Sequence, residues 1–228
     1  MKIVFCLPGL NYSRNFLTSW TMLIAACVKE GHEFIVSQQY SSVVHFARAK
    51  CLGADALRGV KQLPFDGQLD YDYIMWIDSD MVFDPKQFLE LLKSPHDITA
   101  GLYSLESGRH FATVEKYDMD YFKQNGMFKF LSYEDYKMYK EADPSGNNRY
   151  LQVDYTGMGW MLIKKGVIED MKYPWFYRQP VSYRDASGNT ICDMVSEDVA
   201  FCLNAKATGY DVYVDTNIIV GHEKPIIL

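Results

Sequence analysis

Hydrophobic patterning divides the chain into alternating elements. Residues 2 to 7 read as a fully buried strand, and the segment Pro8-Gly9-Leu10-Asn11-Tyr12-Ser13 reads as the turn that follows it. After the turn, Phe16, Trp20, Leu23, Ile24, Cys27 and Val28 recur on one helical face until Gly31. Glu33 to Ser37 is a second expected strand and Val43 to Leu57 an expected helix of small residues. Tyr71 to Ile77 is a continuous apolar run, as a central parallel strand requires. Pro85 suits the first turn of a short helix over Lys86 to Leu92, and Asp97 to Tyr103 returns as a strand. Strands alternating with helices predict an α/β half built on a mostly parallel sheet.

The second half is patterned differently. From His110 to Tyr139 aromatic and charged residues mix without a clean period, and Glu141 to Asn148 carries a strong loop signal around Pro144-Ser145-Gly146. Leu151 to Tyr155 and Trp160 to Ile163 are expected short strands around Gly157-Met158-Gly159. Ser196 is placed to cap a helix running to about Ala207, and Val212 to Val214 and Ile218 to Val220 are expected to close the sheet.

Composition narrows the class. With 228 residues, 48% of them apolar and 23% charged, the chain has enough apolar side chain for a real core. Its 23 Lys and Arg against 29 Asp and Glu leave a net charge of −6, which argues against a protein that neutralises many phosphates of a nucleic acid. The five cysteines form no CxxC pair, and most lie in apolar runs, as expected in a reducing compartment. The apolar start is too short for a signal-peptide core and no run reaches the length of a membrane span, so a cytoplasmic protein is expected.

Three segments carry candidate chemistry. In Trp76-Ile77-Asp78-Ser79-Asp80 two carboxylates follow directly on a buried strand, where open α/β sheets collect ligands. Two anions there call for a cation, such as a divalent ion shared with substrate phosphates; a solvated turn is the plainer alternative. Ser196-Glu197-Asp198 places two acids in a first helical turn, with Asp185 and Asp193 upstream, a pattern that helix capping alone also explains. In Val220-Gly221-His222-Glu223-Lys224-Pro225 a histidine follows an expected strand; joined to two carboxylates, its imidazole completes an O,O,N set that suits Mn²⁺.

Taken together, a strand followed by Asp-X-Asp, a later Glu-Asp at a helix start and a C-terminal His resemble the metal-dependent glycosyltransferases of the GT-A fold. Phe46-Ala47-Arg48 followed by Tyr73 to Met81 is similar to fungal mannan-type α-mannosyltransferases and to small phage and bacterial relatives. The resemblance implies one α/β, Rossmann-like GT-A domain over residues 1–228, with a central mostly parallel sheet flanked by helices. Residues 1–103 would hold the nucleotide sugar, and 104–228 would form a smaller mixed-sheet region for the acceptor and catalysis. It implies that Asp78, Asp80 and His222 ligate Mn²⁺ or Mg²⁺, with Asp78 alternatively on the donor ribose. Pro8, Gly9 and Ser79 would hold the nucleotide, Arg48 or Lys224 would pair with its phosphates, and Gly159 and Trp160 would face a sugar. Asp198 or Glu197 would be the base of an inverting reaction; in a retaining one, which the likeness to mannosyltransferases favours, they would orient the acceptor or stabilise the transition state.

The implied partners are a nucleoside-diphosphate sugar and a hydroxyl acceptor on a glycan, lipid-linked sugar or protein, with a nucleic-acid acceptor disfavoured by the charge. A sugar-nucleotidyltransferase would share the sheet and the acids but opens with a glycine-rich basic loop, of which Pro8 to Tyr12 is a poor version. A dehalogenase-type phosphatase carries Asp-X-Asp after its first strand, not its third. A non-catalytic nucleotide-sugar-binding module would keep the fold and bind donor without turnover.

Overall fold

The computed structural model describes residues 1–224 apart from 147, 178–179 and 185–186, with 181, 183 and 193 described by their backbone alone. Pro225 and Asp185 therefore lie outside the described residues, and Asp193 is known only as the register partner of Val181. The chain runs β1 (Lys2–Pro8), α1 (Arg14–Lys29), β2 (Glu33–Gln39), α2 (Val44–Cys51), β3 (Tyr73–Ile77), β4 (Met81–Val82), α3 (Pro85–Leu91), β5 (Ile98–Leu102) and β6 (Thr113–Val114). It continues through α4 (Met119–Asn125), α5 (Tyr133–Ala142), β7 (Tyr150–Val153), β8 (Tyr155–Thr156), β9 (Trp160–Lys164) and α6 (Val167–Asp170). The last elements are β10 (Pro180–Arg184), β11 (Thr190–Met194), α7 (Glu197–Ala207), β12 (Val212–Ile219) and β13 (Gly221–His222).

Seven strands form one sheet in the order β2-β1-β3-β9-β5-β12-β7. Strands β1, β2 and β3 are parallel, as are β5 and β12, while β9 and β7 enter antiparallel and give the second half its mixed character. Side chains alternate across the sheet. Ile3, Phe5, Leu7, Met75 and Ile77 pack on one face with Phe16, Leu23 and Cys27 of α1 and Phe88 and Leu91 of α3. Val4, Cys6, Ile74 and Trp76 pack on the other with Cys51 of α2, Val167 and Ile168 of α6 and Val199 and Phe201 of α7. The result is a helix-sheet-helix sandwich.

Local chemistry explains the element ends. Ser13 caps α1 by accepting from the Phe16 amide at 3.0 Å, and Asp84 with Gln87 closes a capping box before Pro85 of α3. Three expectations are corrected. The helix expected to reach Leu57 stops at Cys51, because Gly53 turns at φ +71° and the following residues form 3₁₀ turns that leave Leu57 95% exposed. Val28, assigned to the buried face of α1, is exposed. The two closing strands are one, β12, with a register shift between Asp215 and Ile219. The stretch without a period contains α4, which buries Phe122, and α5, which has no fully buried residue.

Candidate functional site

The carboxyl ends of the parallel strands meet at one edge of the sheet. Pro8 is the buried last residue of β1, and Gly9 follows it, its amide donating to the Gln39 carbonyl at 2.9 Å. At the end of β3 the chain turns through Asp78, Ser79 and Asp80, with the Met81 amide returning to the Asp78 carbonyl at 3.1 Å. These two loops touch: a Cβ on Gly9 would lie 2.7 Å from Cβ of Ser79. Gly159, directly before β9, closes the floor, since its carbonyl accepts from the Asp78 amide at 3.0 Å.

Asp80 is the centre of a charged cluster assembled from far along the chain. Strand β13 pairs antiparallel with β4, His222 opposite Met81, and the Glu223 amide donates to the Asp80 carbonyl at 2.8 Å. This pairing brings His222 Nε2 within 3.2 Å and Lys224 Nζ within 2.6 Å of Asp80 Oδ2. Partial burial alone would raise the Asp80 pKa, but hydrogen bonds from His222 and Lys224 outweigh it and bring it down to about 2. His222 Nδ1 lies 2.7 Å from the Ser104 carbonyl, which can only accept, so Nδ1 carries a proton and Nε2 is the nitrogen turned to Asp80. Burial opposes the charged imidazole, yet Asp80 and Ser104 raise its pKa above the ordinary value. The ring also meets Tyr103 edge-on at 5.1 Å.

Arg48 is not on the phosphate-facing surface where the resemblance would put it. It projects from α2 into the core, 2% exposed, with Nη2 3.1 Å from Asp78 Oδ2, Nε 3.5 Å from Glu197 Oε1, and its guanidinium 5.5 Å from the Trp76 ring centroid. Burial works against its charge, but Asp78, Glu197 and Asp198 hold it firmly ionised. Arg48 thus braces the turn after β3 against the first turn of α7. Asp78 keeps its other oxygen, Oδ1, buried and without a hydrogen-bond partner among the described residues.

The two acids of α7 separate into different roles. Glu197 is buried at 6% exposure and carries a raised pKa, first from burial and then from Asp198, which leaves it a core partner of Arg48 rather than a group facing substrate. Asp198 is half-buried and accepts from the Tyr155 hydroxyl at 3.3 Å, from the Val199 amide at 3.2 Å and from the Ser196 hydroxyl. Ser196 therefore donates to Asp198, two residues on, and makes no cap bond to the helix backbone.

Trp160 does not present an aromatic face to a ligand: it is fully buried against Phe83 at 4.5 Å and over Gly101. The Gly157 and Gly159 positions instead admit Tyr103, whose hydroxyl accepts from the Gly159 amide at 3.2 Å and would lie 1.9 Å from a Cβ on Gly157. Tyr103 and Tyr155 are the site residues that motif reading missed. Tyr103 directly follows β5, so the rule that sites gather beyond strand carboxyl ends would have found it.

Among the described residues no three His, Cys, Asp or Glu side chains converge closely enough to hold an ion by themselves. Asp80 and His222 do converge, with the second imidazole nitrogen fixed on a carbonyl as metal-ligating histidines usually are. Asp78 is drawn aside by Arg48. The residues fit an ion that takes two protein ligands and draws the rest from water or substrate oxygens.

Fold and strand order define a Rossmann-like α/β protein with its polar cluster at the carboxyl edge of the sheet. No protein-family model matches the sequence, and no curated protein is significantly similar to it. Among solved structures the chain is similar to A197 from STIV, with a TM-score of 0.56 over 99% of this chain and 87% of that one at 20% identity, a likeness of fold. The inositol-1-phosphate CTP transferase from T. maritima aligns at a TM-score of 0.40 and 11% identity, over 97% of this chain and 88% of that one. Among the described residues no helix is long and apolar enough to cross a membrane.

Proposed function

We propose that this chain is a divalent-metal-dependent glycosyltransferase that moves a sugar from a nucleoside-diphosphate donor to an acceptor hydroxyl. The observation that carries the reading is the Asp80 carboxylate faced by His222 Nε2 and Lys224 Nζ at the carboxyl edge of the sheet. Asp80 and His222 would hold Mn²⁺ or Mg²⁺, with diphosphate oxygens completing the shell; when bound, the ion would neutralise charge on the departing phosphate. Lys224, displaced from Asp80, is free to pair with that phosphate. The nucleotide would lie over Pro8, Gly9 and Ser79, where the loops after β1 and β3 touch.

Asp198 is the acid that could meet an acceptor, because Glu197 is taken up by Arg48. Two hydroxyl donors and an amide fix the orientation of the Asp198 carboxylate, which suits a hydrogen-bond acceptor for the incoming hydroxyl. In the retaining course favoured by the likeness to mannosyltransferases, Asp198 orients the hydroxyl while the departing phosphate takes its proton. The test is calorimetry of UDP and GDP with and without Mn²⁺ on wild type and Asp80→Ala. Metal-dependent binding of one nucleotide, lost in Asp80→Ala, is expected; wild-type affinity in the variant, or no binding of either nucleotide, overturns the proposal.

A further inference from the structure

A cavity opens beside the acidic turn of α7. Val195, Val199 and Leu203 recur every fourth residue and form one wall; Met119 and Phe122 of α4, with Phe128 beyond it, form the other. The cavity measures about 180 Å³. For scale, a closed apolar protein cavity of about 150 Å³ stays dry and takes up benzene. No polar atom of the described residues lines this one, so it offers nothing to a phosphate, a carboxylate or the hydroxyls of a bare sugar ring. Phe122, Val195 and Val199 are buried and Phe122 packs on Phe128 at 4.9 Å, whereas Met119, 39% exposed, stands at the mouth.

Its position ties it to the reaction proposed above. Val195 and Val199 bracket Ser196, Glu197 and Asp198, so the cavity begins within one helical turn of the carboxylate assigned to the acceptor hydroxyl. Tyr117, a further wall residue, has a buried hydroxyl whose pKa is raised first by burial and then by Cys202, Asp154 and Asp198, which puts that wall within the field of Asp198. Resting on the glycosyltransferase reading, we infer that this cavity is the acceptor's apolar subsite. The acceptor is accordingly a small alcohol or glycoside that carries a ring-sized apolar group next to the hydroxyl that Asp198 receives. An unsubstituted oligosaccharide would leave the cavity empty.

The experiment titrates benzyl alcohol, toluene and glycerol into the full chain by saturation-transfer NMR, read on the probe's own protons. Benzyl alcohol and toluene should bind and glycerol should not. Filling the cavity by Leu203→Trp should weaken both at least about tenfold; Met119→Trp, at an exposed position that folding tolerates, should do the same if Leu203→Trp misfolds. Asp198→Ala should weaken benzyl alcohol by about threefold or more, the worth of one hydrogen bond, and leave toluene unchanged. Aromatic binding no tighter than glycerol, or unaffected by either filling variant, removes the subsite. Equal responses of toluene and benzyl alcohol to Asp198→Ala separate the cavity from the acceptor. Nucleotide binding with Mn²⁺, measured on the same preparation, reports independently: its failure removes the glycosyltransferase reading even where the cavity binds its probes.

Discussion

Replacing Arg48 by Met tests the brace between the two acidic segments. The substitution leaves Asp78, with 27% of its side chain exposed, and Glu197, with 8%, without the guanidinium that lies 3.1 and 3.5 Å from them. Removing one partner of a buried ion pair typically costs about 3–5 kcal/mol, and for a chain of this size each kcal/mol shifts melting by about 2–4 °C, so a loss of roughly 6–20 °C is expected near pH 8. Asp78 can recruit water; Glu197 cannot. The Glu197 pKa is already raised by burial and held back by Arg48, so in Arg48→Met it rises further. A carboxyl whose folded pKa lies above its unfolded value contributes stability that is present at low pH and lost as pH rises through the folded pKa. The deficit of the variant should therefore shrink toward pH 5.5, by up to about 3 kcal/mol at 1.36 kcal/mol per pH unit. Thermal denaturation of both proteins from pH 5.5 to 8 measures this, and adding Glu197→Gln to Arg48→Met should recover most of the loss at pH 8. A deficit independent of pH, or unchanged melting, would refute the assignment of Glu197 as the buried partner.

Three further outcomes are expected. Asp198→Asn should keep nucleotide binding and lower transfer by around 10²-fold or more, checked by single-turnover transfer once an acceptor is in hand; unchanged transfer would reduce the acid to a helix-terminal charge. In His222→Ala, Mn²⁺ affinity measured by calorimetry should fall at pH 7.5 and lose its pH dependence, because in wild type the proton on Nε2 competes with the ion as pH drops through a pKa raised above 6.5. Gly157→Ala forces a Cβ into the Tyr103 hydroxyl and should cost roughly 1–3 kcal/mol in chemical denaturation, with no loss if Tyr103 can move freely.

Much of the architecture was legible because it is written locally. The apolar runs of β1 and β3, the cap at Ser13 and the Pro85 start of α3 each depend on neighbours within a few residues, and each element formed where expected. The overshoot of α2 has a local cause as well, but one that needs a backbone angle: the residues after Cys51 are compatible with helix until Gly53 takes a left-handed turn. The segment from His110 onward gave no period because α4 and α5 are short and mostly solvated, so little burial was imposed on their sequence.

Long-range charge is where a single sequence falls short. An arginine two positions after Phe46 reads equally well as a phosphate ligand or a surface cation; only the return of α7, bringing Glu197 to a group already beside Asp78, makes it a buried brace. Trp160 shows the same limit from the apolar side, since an aromatic after a glycine pair suits a sugar platform until Phe83 and the bare backbone of Gly101 are seen to enclose it. His222 lies between these cases. Its residue type and its place after a strand suggested a ligand, but its partner is fixed by the pairing of two two-residue strands, β4 and β13. That short ladder holds Asp80 and His222 in register, so the proposed metal affinity depends on backbone hydrogen bonds as much as on the two side chains.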